Sequence, residues 1–135
     1  SFYWLNGNFP ANYKVGVRID VSGLNGGCAG IGPNVDEQAG GYDFFVCSDG
    51  FWYLESYDSN GNAHRLVQGQ IAQRSSYSMQ AISNGPIQSL LLDGVQVASV
   101  SDTTHTTTDH IELLLSAQGK AGTAIFSNFV FTPLP

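Results

Sequence analysis

The chain has 135 residues, of which 42% are hydrophobic and only 12% charged, against about 25% charged in ordinary globular domains. That length suffices for one well-filled core, and aromatic residues recurring along it argue against disorder. The net charge is −6 and the five basic residues, Lys14, Arg18, Arg65, Arg74 and Lys120, form no cluster in the sequence, so neither a nucleic-acid backbone nor an anionic membrane surface is an expected partner.

No apolar run approaches the roughly 20 residues that span a bilayer. The chain begins at Ser1 without a secretory leader and contains no Asn-x-Ser/Thr glycosylation site. Residues 1–135 are therefore expected to form one domain excised from a larger extracellular or cell-surface protein, whose other domains would be neighbours. Two cysteines, Cys28 and Cys47, in a Ser/Thr-rich, lysine-poor chain fit a disulfide in an oxidising compartment; two buried free thiols are the alternative.

Helical periodicity is absent, and strand signals separated by turn dipeptides run through the chain. Phe2, Tyr3 and Trp4, with Phe9 beyond them, suggest an edge strand that closes one end of a sandwich. Residues 13–21 alternate, with Tyr13, Val15, Val17, Ile19 and Val21 on one side and Lys14, Gly16, Arg18 and Asp20 on the other, as a half-buried strand requires. A turn at 23–27 precedes a short strand at 28–32 and a loop containing Pro33, Asn34, Asp36 and Glu37.

Residues 42–47 and 51–57 form a hairpin that we read as turning on Asp49-Gly50, a pair suited to a two-residue type I′ turn. That register places Cys47, Phe45, Trp52 and Leu54 on the packed face. It places Tyr42, Phe44, Val46, Phe51, Tyr53, Glu55 and Tyr57 on the opposite one. A loop at 58–62 follows, then strands at 64–68 and 77–81. A second hairpin joins 87–92 to 95–100 at Asp93-Gly94. A polar stretch at 101–109, strands at 111–115 and 123–132, and the terminal Pro133 and Pro135 complete the chain. About ten strands with no βαβ signal predict an all-β fold, an antiparallel two-sheet β-sandwich or barrel.

The stretches YSMQA (77–81), LLLDGV (90–95) with Val97, and AIFSNFVFTP (124–133) resemble the closing strands of concanavalin A-like (laminin-G-like) jelly-roll domains of the lectin and glucanase superfamily. The resemblance implies a jelly roll, commonly a carbohydrate-binding module or lectin domain attached to glycoside hydrolases, sometimes a purely structural module. Two departures stand out: Asp109-His110-Ile111-Glu112 replaces a strand that many relatives open with Gly, and Ser127 stands where many have an Asp that helps hold calcium.

The residues themselves point to sugar binding. The aromatic face of Tyr42, Phe51, Tyr53 and Tyr57 offers rings on which saccharide C–H faces stack, with Glu55 as a hydrogen-bonding partner and Arg18 or Arg65 as cations. Packing between the sheets is the competing reading of that face, except that Glu55 would be costly to bury unpaired. His105, Asp109 and His110 match no metal-ligand spacing and are expected in a solvated loop. Asp36 with Glu37, or Asp58 with Asn60 and Asn62, are oxygen-rich but lack a calcium-loop pattern; no cofactor is expected, calcium being the one open possibility.

Catalysis finds no support in spacing: Glu55 and Asp58 fall on opposite faces of a strand, and no Gly-x-Ser-x-Gly turn occurs. The expectation is a non-catalytic, lectin-like module binding a neutral oligosaccharide or polysaccharide. A structural or protein-interaction module, and a small glycoside hydrolase, are the alternatives.

Overall fold

The computed structural model describes residues 2–6, 9–106, 108 and 110–135, with the backbone alone for 2–6. The aromatic side chains expected at Phe2, Tyr3 and Trp4, and the Asp109 considered as a metal ligand, lie outside the described residues. Among the described residues there are eleven strands: β1 (Phe2–Asn6), β2 (Tyr13–Gly23), β3 (Cys28–Val35), β4 (Gly41–Cys47), β5 (Phe51–Tyr57), β6 (Ala63–Gln70), β7 (Ser76–Asn84), β8 (Ile87–Leu92), β9 (Val95–Ser101), β10 (His110–Ser116) and β11 (Thr123–Pro133). They form two antiparallel sheets, a six-stranded one ordered β1-β10-β3-β4-β5-β6 and a five-stranded one ordered β11-β2-β7-β8-β9. No helix of the described residues is long and apolar enough to cross a membrane.

The core is the space between the sheets. Tyr13, Val15, Val17, Ile19 and Val21 of β2, with Tyr77, Met79 and Ala81 of β7, face Tyr42, Phe44 and Val46 of β4 and Trp52 and Leu54 of β5. The strict alternation along β2 follows from one face being sealed and the other open. Three buried tyrosines satisfy their hydroxyls at the edges of this layer. The Tyr13 hydroxyl donates to Asn34 Oδ1 at 2.7 Å, that of Tyr77 to the Ala72 carbonyl at 3.0 Å and that of Tyr42 to Asp102 Oδ1 at 2.6 Å.

Strand β3 runs three residues beyond the expected 28–32 because Asn34 is part of the packing rather than a loop residue. It adopts a left-handed conformation, φ 54°, which asparagine tolerates. Its side-chain nitrogen donates to Ser83 Oγ and to the His105 carbonyl, and its backbone N–H donates to the Tyr13 hydroxyl. Asn34 thus ties β2, β3, β7 and the 102–108 segment together at one end of the sandwich.

The two Asp-Gly hairpins differ. Asp93 and Gly94 both have positive φ, 52° and 82°, and Leu92 pairs directly with Val95, which is the expected two-residue type I′ turn. At the other hairpin only Gly50 has positive φ, 88°. Its N–H donates to the Cys47 carbonyl at 2.9 Å and Val46 pairs with Trp52. The loop is Ser48-Asp49-Gly50, a type I turn closed by a glycine bulge. The register is one residue from that expected, and β4 is turned over relative to it: Tyr42, Phe44 and Val46 point into the core, while Asp43, Phe45 and Cys47 point outward. Burying all three of the former beside Trp52 and Leu54 is what the extra loop residue achieves.

Candidate functional site

The outer face of the six-stranded sheet carries a row of charged residues running across five strands. Glu112 of β10 pairs with Gly32 of β3, Asp43 of β4 with Glu55 of β5, and Glu55 with Arg65 of β6. Gly32 separates the two halves of the row without a side chain; a Cβ there would stand 3.3 Å from that of Glu112. Asp43 and Glu112 therefore face each other across a gap in the sheet surface.

Asp43 shares a hydrogen bond with Glu55. Burial, the Glu55 charge and bond, and the Glu112 charge together push the Asp43 carboxyl far above the ordinary carboxylate range. Two carboxylates cannot hydrogen-bond without a proton between them, and the environment keeps that proton on Asp43. Arg65 limits the local excess of negative charge: its Nε lies 3.9 Å from Glu55 Oε2 and another of its nitrogens donates to Gln68 at 2.7 Å. At the far end His110 Nε2 sits 3.2 Å from Glu112 Oε1.

Below this row lies a small apolar cluster of Cys28, Phe45, Cys47, Tyr53 and Leu114, with Phe51 against it. Cys28 and Cys47 are directly opposite on β3 and β4 and form a disulfide. The Tyr53 ring packs on Phe45 and Phe51 at centroid distances of 5.1 and 5.9 Å, and the Arg65 guanidinium covers it at 3.9 Å. Tyr53 is consequently only 7% exposed, and burial, then the Glu55 charge, raise its hydroxyl to about 12. Tyr57 borders the carboxylates; burial and the charges of Glu112 and Asp43 raise its hydroxyl as well. Both phenols stay protonated at neutral pH and present hydrogen-bond donors.

These residues surround a hollow of about 390 Å³ lined by Asp43, Glu55, Tyr57, Ala63, Glu112 and Leu114. A second hollow, of about 250 Å³, shares Tyr57 and Glu112 with it and extends toward His110 and the 58–61 turn. An open depression with carboxylate acceptors and the Tyr57 phenol as donor, with Arg65 beside Glu55, can hold a polyhydroxylated ligand through several hydrogen bonds at once.

No protein-family model matches the sequence, and no curated protein sequence matches it. Among solved structures, the chain is similar to carbohydrate-binding module CBM66 from Bacillus subtilis, with 15% identity, a TM-score of 0.75, and coverage of 96% of this chain and 77% of that one. A tetrameric galectin from the ball sponge Cinachyrella sp. matches with 10% identity and a TM-score of 0.73 over 98% of this chain and 99% of that one. Alginate lyase A1-II′, of polysaccharide lyase family 7, matches with 13% identity and a TM-score of 0.67 over 96% of this chain and 65% of that one. The fold is the concanavalin A-like jelly roll.

In this jelly roll Phe51, Tyr53, Glu55, Tyr57 and Arg65 share the outer face of the six-stranded sheet. Tyr42 does not join them. It is fully buried between the sheets, because the three-residue loop turns β4 over. Arg18 does not join them either: it lies on the outer face of the five-stranded sheet, bonded to Ser76 Oγ at 2.7 Å, since its neighbours Val17 and Ile19 fill the core. Asp43 and Glu112 are site residues that the sequence reading passed over. The available signal was an aspartate set within the apolar run GYDFFVC, where a charge is costly unless the position faces outward.

The histidines are not in a solvated loop. His105 and His110 are buried, 5% and 4% exposed; His105 stands edge-on to Tyr42 at 5.1 Å, and His110 meets Glu112. Among the described residues no group of three or more His, Cys, Asp or Glu side chains is placed to hold a metal ion. Asp58 spends its carboxylate on its own turn, accepting from the Asn60 and Asn62 N–H groups at 2.9 and 3.0 Å, as turn chemistry requires.

Proposed function

We propose that this jelly roll is a non-catalytic carbohydrate-binding module that takes a neutral glycan on the outer face of its six-stranded sheet. The observation that carries the reading is the convergence of Asp43, Glu55, Tyr57 and Glu112 around one depression, with Arg65 beside Glu55. Carboxylates accept from sugar hydroxyls, while Arg65 and the phenols donate. A uronate would meet Glu55 and Glu112, and a protonated Asp43 between them, with Arg65 the one arginine of the row among the described residues, which favours a neutral saccharide. Ring stacking falls to Tyr57, because Arg65 already covers Tyr53 and Phe51 packs against the apolar cluster at the other end of β5. The disulfide fits an oxidising, extracellular setting. Module and galectin neighbours of the same fold agree with sugar as the partner.

A small hydrolase or lyase is the second reading, favoured by the proton held on Asp43 beside Glu55. Against it, carboxyl groups in hydrogen-bond contact are much closer than the roughly 5–9.5 Å that glycosidases keep between acid and nucleophile or base. Screening the domain on an array of neutral and acidic glycans tests the proposal. Discrete neutral hits lost on Glu55→Gln or Arg65→Ala support it. The absence of hits, or release of reducing or unsaturated sugar ends abolished by Glu55→Gln, overturns it.

A further inference from the structure

The opposite face of the sandwich carries a groove of the other charge. On β2, Lys14 and Arg18 point outward from the five-stranded sheet on either side of Gly16, about 13 Å apart along the strand. The three line a hollow of about 300 Å³ with Gln80 of β7 and Asn128 and Thr132 of β11. Among the described residues no acidic side chain lines it, although acidic residues outnumber basic ones 11 to 5 in the chain.

The walls are built rather than incidental. Pairing of β11 with β2 shifts between Ser127 and Val130, and Asn128 at that bulge holds φ 55°; bulges of this kind re-aim a side chain, here one that borders the groove. Gly16 leaves the floor open: a Cβ there would meet nothing closer than Gln80 Cγ at 3.6 Å. Lys14 makes no ion pair among the described residues. Arg18 is anchored by Ser76, and the nearby Asp20 turns its own Oδ1 to Ser22 at 2.6 and 2.9 Å.

We propose that this groove is a second saccharide site, separate from the first and selective for oxyanion-bearing sugars, either uronate carboxylates or sulfate esters. Two cations set apart along a strand suit an extended chain with recurring charges better than one small ion. The amides and hydroxyl between them suit the sugar hydroxyls. The two sheets would then present opposite electrostatic preferences.

Calorimetry on the intact domain at low salt tests this with four probes: an oligogalacturonate, its methyl ester, a sulfated galactan oligomer and sodium sulfate. The expected result is binding of the oligogalacturonate, the sulfated oligomer or both, weakened by added salt and at least about tenfold tighter than the methyl ester or sulfate alone. Binding of only one anionic oligomer assigns the carboxylate or the sulfate ester accordingly. Lys14→Gln and Arg18→Gln should each weaken it about tenfold or more, as loss of a charge-assisted bond does, with the melting temperature unchanged. Gly16→Ala should weaken it by narrowing the floor, and Glu55→Gln should leave it intact. No binding of either anionic oligomer, equal binding of inorganic sulfate, insensitivity to the Lys14 and Arg18 variants, or loss on Glu55→Gln would each overturn the proposal. Loss on Glu55→Gln would place the anionic oligomer on the six-stranded face and count against the neutral-glycan reading too; the other outcomes leave that reading untouched.

Discussion

Asp43 and Glu55 stand directly opposite each other on neighbouring antiparallel strands and share a hydrogen bond. Like charges in that position normally repel, so the pair exists because one member keeps its proton.

That proton makes stability depend on pH. The Asp43 pKa is raised in the fold from 3.8 to about 8 by burial and by Glu55 and Glu112. The folded state therefore holds a proton that the unfolded chain releases, and stability must fall as pH rises from about 4 to about 8. Arg65, His110 and Tyr57 are the other polar groups around the pair. The lowered carboxyls of Asp20, Asp58 and Asp102 act only at more acidic pH, outside this window. Melting temperatures measured between pH 5 and pH 8 should drop, and Asp43→Asn should flatten the profile; a profile equally steep in the variant contradicts the assignment.

Arg65 and Tyr53 should separate binding from folding. Arg65 is partly exposed, so Arg65→Ala should remove glycan binding while stability changes by about 1 kcal/mol or less. Tyr53 is packed on Phe45 and Phe51 beneath the guanidinium, and Tyr53→Ala should destabilise by roughly 3 kcal/mol. Urea unfolding of the two variants compares them directly.

Removing the Cys28–Cys47 bridge frees two strands already paired at those residues. Its 19-residue separation corresponds to roughly 3 kcal/mol in the chain-entropy model. The Cys28→Ser, Cys47→Ser double variant should show that loss in urea unfolding, and reduction of the native domain should mimic it.

Tyr42 and His105 touch but should respond oppositely. The Tyr42 hydroxyl donates to Asp102 and accepts from the His105 N–H at 3.3 Å, so Tyr42→Phe should cost about 1–2 kcal/mol. Both His105 ring nitrogens are buried without a hydrogen-bond partner among the described residues, beside a hollow of about 160 Å³. His105→Phe should therefore hold or raise the melting temperature, since an apolar ring leaves no polar atom unsatisfied there.

Gly32 should matter through space alone. A Cβ added there would stand 3.2 Å from the Tyr42 carbonyl oxygen and 3.3 Å from the Glu112 Cβ, so Gly32→Ala should crowd the gap between Asp43 and Glu112 and weaken glycan binding more than it weakens the fold. Binding to the best array hit, read beside the melting temperature, checks this.

Local pattern alone determined the strands, their alternation along β2 and the sandwich class, because period-2 hydrophobicity and turn dipeptides are written in neighbouring residues. It also placed Tyr53, Glu55 and Tyr57 on one side of β5. Tertiary structure decided which side of β4 joined them. The same Asp-Gly pair makes a two-residue turn at 93–94 and part of a three-residue loop at 48–50, and the need to bury Tyr42, Phe44 and Val46 with Trp52 and Leu54 selects between them. That one residue moved Tyr42 into the core and Asp43 into the site. Sheet order did the rest: Glu112 reaches Asp43 only across Gly32, 69 and 80 positions away from its two partners in the row, and Arg18 belongs to the other sheet altogether. Contacts between distant strands depend on which faces are sealed by which, and no local spacing encodes that.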